Sequence, residues 1–265
     1  MSVTATVGQA TIDGLVYVGD LTLLTGRSLR ALVIAPVQGK RFRAGRAIHQ
    51  AMATGVGAVP ILSLISFFIG LIMALQSAYE LQRLGAIAFV ADAVAISVTR
   101  ELAPLITAIV VIGRSGSAFA AEIGSMKVNE ELDALEVMAL DPIDFLVAPK
   151  LLAMAVMLPC LTTWADFMGV LGGATFGVSA AGFTFSSYMQ ATLHALMSRD
   201  IVTGLIKSVM FGIVITAVGC HEGLSAGLGA EQVGRSTTSA VVKSIFMVVA
   251  VDLVFTFLFY LTASR

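Results

Sequence analysis

AVAISVTRELAPLITAIVVIGRSGSAFAAEIG, residues 93–124, decides the fold. The stretch is apolar enough to cross a membrane, yet it carries Arg100 and Glu101 side by side, with Pro104 three residues on. A charge at the bilayer centre costs ~2.5 to 3.5 kcal/mol even on the lenient insertion scale, so such residues face a bundle interior, a wet cavity or a partner. Pro104 has no N–H to bond the Arg100 carbonyl, which predicts a kink at the charged pair. An integral membrane protein with a polar site inside it is the expectation.

The rest of the chain agrees. Of 265 residues, 57% are hydrophobic and only 12% charged, about half the usual charged fraction, and mean hydropathy is +0.93. A net charge of -1 argues against a nucleic-acid partner. Cys160 and Cys220 fall inside apolar spans, which argues against a disulfide framework or a zinc site. The first eleven residues lack a basic n-region and an apolar core, so no signal peptide is expected.

Five stretches can cross a ~30 Å hydrocarbon layer: residues 56–79, 93–113, 148–176, 201–220 and 244–261. Pro159 and Asp166 in the third predict tilt or a break there. Residues 12–33 mix apolar side chains with Arg27 and Arg30, and read as a helix lying in the interface. The expected fold is all-α: an interfacial N-terminal helix, five transmembrane helices and a helix in the loop between spans two and three. The chain reads as one membrane domain, with residues 1–50 as its interfacial segment and 51–265 as its transmembrane part.

Basic residues set the orientation. Arg27, Arg30, Lys40, Arg41, Arg43 and Arg46 precede span one, whereas the alternate loops and the tail hold only Arg83, Arg199 and Arg265. Lys127, Lys150, Arg235 and Lys243 flank the other two loops. The N-terminus is therefore expected in the cytoplasm and the C-terminus outside. At a rise of ~1.5 Å per residue, Arg100 and Glu101 lie roughly 10 to 14 Å deep from the outer face, and Lys207 roughly 10 Å. Gln76 falls near the outer end of span one and Asp252 near the middle of span five. These five side chains form either a set of ion pairs that fixes helix packing or the polar wall of a substrate cavity. The sequence does not say which carboxylate meets which base.

Gly169, Gly173 and Gly177 recur every four residues in span three, the spacing of close helix contact. The loop after span two reads IGSMKVNEELDALEVMALDP. Val128, Leu132, Leu135 and Met138 or Ala139 follow helical spacing, with Glu130, Glu131, Asp133 and Glu136 between them. Asn129 is placed to cap this helix over residues 129–140, and Asp141-Pro142 to stop it. Its acidity argues against an anionic membrane surface and for a protein partner.

The runs Arg100-Glu101-Leu102-Ala103-Pro104, Gly113-Arg114-Ser115-Gly116-Ser117-Ala118, Ala121-Glu122-Ile123-Gly124-Ser125-Met126 and Glu130-Glu131-Leu132-Asp133-Ala134-Leu135 closely resemble the MlaE (YrbE) family. Leu205-Ile206-Lys207-Ser208 and Val233-Gly234-Arg235-Ser236 continue the likeness over about residues 50 to 262. These are permease subunits of ABC systems that move phospholipids or other lipids between membranes. The resemblance implies a homodimer in the bacterial inner membrane. It also implies a separate MlaF-like cytoplasmic ATPase that binds ATP and Mg, a periplasmic MCE-domain protein (MlaD-like) and a STAS-domain protein (MlaB-like). Carried over by position, Arg100, Glu101 and Lys207 match charged positions of the lipid cavity, and Glu130 to Glu136 match the element that couples to the ATPase. This chain has no G-x-x-x-x-G-K-[ST] phosphate loop, so it is expected to be no enzyme, to hold no cofactor or metal, and to depend on that ATPase.

Two other classes compete. Gly113-Arg114-Ser115-Gly116 fits the G-x-S-G of rhomboid proteases, and His221 lies at a similar depth as a possible base. Against this, the motif is short and the site would open to the cytoplasm. A secondary transporter would show inverted repeats and facing broken helices. The sequence offers one kinked helix, and the echo of Gly113-Arg114-Ser115 at Gly234-Arg235-Ser236 is too short to be a repeat.

Overall fold

The computed structural model describes residues 3–37 and 44–263. Lys40, Arg41, Arg43 and Arg265, which carry part of the orientation argument, lie outside these, as does the side chain of Arg46. The described residues are mostly helical, with short turns between the helices and no strand. The order is α1 Val3–Val37, α2 Ala44–Gly55, α3 Val59–Arg83, α4 Val90–Ser97, α5 Ala103–Val111, α6 Ser117–Val128, α7 Glu131–Val137, α8 Ala148–Ser179, α9 Phe185–Ala195, α10 Ser198–Leu224 and α11 Ala230–Ala263.

Five helical stretches are long and apolar enough to span a membrane: Val59–Arg83, Ile87–Val128, Ile143–Ser179, Ser198–Leu224 and Ala230–Thr262. They follow the expected order; the first starts three residues later than expected, at Val59, and the other four run past both expected ends because terminal turns continue the helix beyond the hydrocarbon-length core. The protein is an all-α, multi-pass integral membrane protein.

Span two is one helical rod of three α segments joined by two π-helical turns, Val98–Leu102 and Ile112–Gly116. The first π turn lies where the sequence predicts a kink, just before Pro104. Ala103 N–H bonds the Val98 carbonyl, five residues back. A widened turn absorbs the donor that Pro104 lacks without breaking the helix, and it rotates Arg100 and Glu101 out of the α register. Of the tilt or break expected in span three, the break is not formed: α8 runs unbroken through Pro159.

Contacts group the chain into two compact units. The first comprises Met1–Gln50, Ser115–Ala153 and Ile213–Ser244, and the second Ala51–Arg114, Met154–Gly212 and Ile245–Arg265. Within the first unit, α1 is fastened by Tyr17. Its ring meets His221 edge-on at 5.1 Å, and the Lys243 ammonium sits over it at 4.6 Å. Burial, with the Glu222 carboxylate beside it, pushes the Tyr17 phenol above its ordinary range. Lys150 is almost wholly buried, donates to both oxygens of Glu122 at 2.8 and 2.9 Å, and lies over the Phe119 ring.

In the second unit, glycines let backbones touch. A Cβ on Gly70 would lie 1.8 Å from the Gly169 carbonyl oxygen, and one on Gly172 would lie 1.9 Å from that of Phe67. The α3–α8 seam is therefore closed to any side chain. Trp164 Nε1 donates to Ser63 Oγ across it at 2.7 Å. Gly173 and Gly177 serve a different neighbour, the fully buried Tyr188 of α9. The sequence had placed no helix over residues 185–195. A Thr184–Ser187 capping box starts it, and Tyr188 pins it against Ala91, Val170 and Ala174.

Gly70→Val is expected to destabilise the folded chain by at least ~2 kcal/mol, since neither backbone can move away from the added methyl groups. Gly234→Ala, where the added Cβ meets open space, is expected to leave it unchanged. Thermal unfolding of the two purified variants in detergent checks the contrast.

Candidate functional site in the membrane-spanning helices

The polar site forms where α10 approaches span two most closely. A Cβ on Gly204 would lie 2.4 Å from the Thr99 carbonyl oxygen, so the bare glycine brings the two helices together. One turn further along α10, Lys207 then reaches the π turn. The Lys207 side chain is completely buried. Its ammonium hydrogen-bonds Glu101 Oε2 and Thr256 Oγ1, the latter at 2.7 Å. It also lies 2.9 Å from Asp252 Oδ1, an ion-pair contact that falls off the hydrogen-bond direction. Thr256 Oγ1 stands 3.3 and 3.4 Å from the two Glu101 oxygens. Three helical spans thus meet at one ammonium group.

Arg100 takes a different partner. Its Nε lies 3.6 Å from Asp200 Oδ1, an ion pair longer than a hydrogen bond. Asp200 is itself fixed, since its Oδ2 accepts the Met197 N–H at 3.1 Å at the start of α10. The bases are therefore sorted: Lys207 with Glu101 and Asp252, Arg100 with Asp200. Exposure is sorted too. The Lys207 and Asp200 side chains are 0% and 6% exposed, whereas those of Glu101 and Arg100 are 38% and 32% exposed. Two cations stand against three carboxylates, leaving one negative charge in excess.

Of the five side chains named from sequence, the structure brings Arg100, Glu101, Lys207 and Asp252 to this region. Gln76 is not part of it; it is exposed on α3 and bonds none of these groups. Two members were missed, Asp200 and Thr256. Helical spacing carried the signal for both. Asp200 precedes Lys207 by seven residues on one face of α10, and Thr256 follows Asp252 by four on α11.

The loop helix is shorter than expected. α7 covers Glu131–Val137, ended on either side by Glu130 (φ 60) and Ala139 (φ 56) in the left-handed region. Asn129 does not cap it; its side-chain amide donates instead to Glu131 Oε1 at 3.4 Å. Leu132 and Leu135 are buried, and Glu130, Glu131, Asp133 and Glu136 all face outward. Met138 and Ala139 leave the buried stripe because the left-handed turn at Ala139 has already ended the helix; Val137 and Met138 stand 87% and 59% exposed beside the acids. Asp141 does more than stop α7. Its Oδ1 accepts the Ile143 N–H at 2.8 Å and so starts span three.

The protease arrangement is not formed. Ser115 is buried in the second π turn, and His221 packs edge-on against Tyr17 without a hydrogen bond to Ser115. Among the described residues, no three His, Cys, Asp or Glu side chains gather as a metal site.

The family model for Permease MlaE matches residues 47–258. A probable ABC transporter permease protein of Rickettsia felis is 35% identical over 260 residues, covering 98% of both chains. One from Synechocystis is 39% identical over 201 residues, 76% of each chain. The chloroplastic protein TRIGALACTOSYLDIACYLGLYCEROL 1 of Arabidopsis thaliana is 38% identical over 213 residues, covering 80% of this chain and 61% of that one. The chain belongs to the MlaE permease family. It is a membrane permease of the ABC transporter type.

Lys207→Met is expected to cost ~3 to 5 kcal/mol of stability, because it strands Glu101 and Asp252 without their shared cation. Arg100→Gln, which loosens a long and partly exposed pair, is expected to cost under ~1 kcal/mol. Chemical unfolding of the two variants in matched micelles gives the comparison.

Proposed function

We propose that this chain is the permease subunit of an ATP-driven transporter that moves phospholipids between the inner and outer membranes of a bacterium and maintains outer-membrane lipid asymmetry. The observation that carries this reading is the partly exposed Arg100–Glu101 pair on span two, held from behind by Asp200 and Lys207. A polar patch within apolar helices suits an amphiphile whose charged head must leave water while its chains stay in hydrocarbon. The chloroplastic relative, whose name refers to a glycerolipid, supports the same substrate class.

The working unit in this reading is a homodimer in the inner membrane, with its N-terminus in the cytoplasm and its C-terminus in the periplasm. Residues 1–265 act as a single permease domain. A separate cytoplasmic MlaF-like ATPase supplies ATP and Mg chemistry, and this chain binds no cofactor. A periplasmic MlaD-like MCE protein and an MlaB-like STAS protein complete the assembly. The ATPase docks on α7, where Glu130, Glu131, Asp133 and Glu136 ring the exposed Val137 and Met138. An apolar anchor within a charged rim is the usual anatomy of a protein interface. Lys127, just before α7, donates to the carbonyl of Leu224 at 2.7 Å. Leu224 ends α10, the helix that carries Lys207. The helix that leads into α7 is thus tied to the end of α10.

Reversing Glu130 and Glu131 to Lys is expected to release the copurifying ATPase, or to leave hydrolysis running without lipid movement. Pull-down and ATPase assays in proteoliposomes measure both. Wild-type association and coupling in the double variant would contradict the docking assignment.

A further inference from the structure

Span three carries a carboxylate that no ion pair uses. Asp166 lies near the middle of α8 and is partly buried. Among the described residues, no basic side chain comes within ion-pair distance of it. Its Oδ1 is buried and accepts no hydrogen bond from them. An ionised carboxylate inside a membrane helix is costly until a positive charge meets it, so a group left in this state calls for a compensating ligand.

Two hydroxyl groups near it are also unpartnered. Thr162, one turn earlier on the same face of α8, is completely buried, and Ser66 of α3 is 3% exposed. Neither oxygen has a hydrogen-bond partner among the described residues. A hydroxyl in a helix commonly settles on a carbonyl one turn back. Ser63, Thr163 and Thr175 on the same two helices do so, at 2.7, 3.0 and 2.9 Å. Thr162 and Ser66 do not, and their lone pairs stay available. Helices α3 and α8 touch on either side of Asp166. Just before it Trp164 donates to Ser63, and just after it a Cβ on Gly169 would lie 3.6 Å from the Ser66 carbonyl oxygen.

We infer that Asp166, Thr162 and Ser66 are the protein's part of a binding site for one small monovalent cation such as sodium. Hard cations take oxygen ligands, and a carboxylate with two hydroxyls is an all-oxygen set. One carboxylate balances one positive charge, so the occupied site is neutral within the hydrocarbon layer. A divalent ion would leave a charge uncompensated there. Such an ion needs no cluster of His, Cys and carboxylate groups, so the lack of one among the described residues does not bear on it. Bound at these oxygens, it would tie span three to span one through a contact that the side chains alone do not make.

The test uses the full-length chain in proteoliposomes and dicyclohexylcarbodiimide, which tags a carboxyl group as it takes up a proton and is blocked by a metal ion held there. Sodium chloride is exchanged for choline chloride at constant ionic strength, and tagged peptides are mapped by mass spectrometry. Sodium at about ten times its dissociation constant is expected to lower tagging of Asp166 about tenfold, in step with the fraction of sites left free. Choline is expected to give no protection. Thr162→Val keeps the shape of the side chain and removes one ligand. It is expected to be tagged like wild type in choline and to need at least about tenfold more sodium for the same protection. Thermal unfolding gives a second reading: sodium is expected to raise the midpoint of wild type and to leave that of Asp166→Asn unmoved. Tagging that ignores sodium, tagging absent in both salts, or an unchanged sodium dependence in Thr162→Val overturns the inference. Each of these outcomes leaves the lipid-permease reading standing.

Discussion

One buried ammonium group organises the membrane-spanning site. Lys207 has no exposure of its own and lies among acceptors from span two and from α11. A lone ammonium there would cost several kcal/mol. Lys207 is not tolerable alone, so the helices that carry its partners must arrive with it. Sequence features that look unrelated serve this meeting. Gly204 removes the side chain that would hold α10 away from Thr99, and the π turn at Val98–Leu102 aims Glu101 at the gap.

The same arrangement separates buried from partly exposed charges. Buried members of each pair, Lys207 and Asp200, fix geometry, while the partly exposed members, Glu101 and Arg100, remain free to meet something else. Hydrogen bonds from a buried support keep an exposed charge from collapsing onto its neighbour. That is why adjacent residues of opposite charge do not pair with each other: each is already turned towards its own partner on α10. Of the two readings offered by the sequence, the ion pairs are formed, and a cavity wall at the exposed members belongs to the proposed function.

Much of this was legible in advance. Runs of ~20 apolar residues have one physical outcome in a bilayer, so five spans in order followed from composition. Charges inside those runs pointed to Arg100, Glu101, Lys207 and Asp252. Pairing was not legible, because it depends on which helices approach and at what level, and a single glycine decides that here. Thr256 and Asp200 escaped notice for related reasons. A threonine in a membrane helix is unremarkable until a charge lies beside it, and Asp200 sits at a helix start where a solvated carboxylate is ordinary. Gln76 stands apart from the ion pairs because depth does not fix the face of α3. The π turns were also hidden: proline marks a missing donor, and whether the helix kinks or widens is settled by the packing around it.

The central claim is that Glu101 and Lys207 act as one unit. A double-mutant cycle with Glu101→Gln, Lys207→Met and the pair, read by chemical unfolding in micelles, measures this most directly. The account predicts a coupling of at least ~1.5 kcal/mol, with the double variant more stable than Lys207→Met alone because a stranded carboxylate has been neutralised. Additive effects, within ~0.5 kcal/mol, would contradict it.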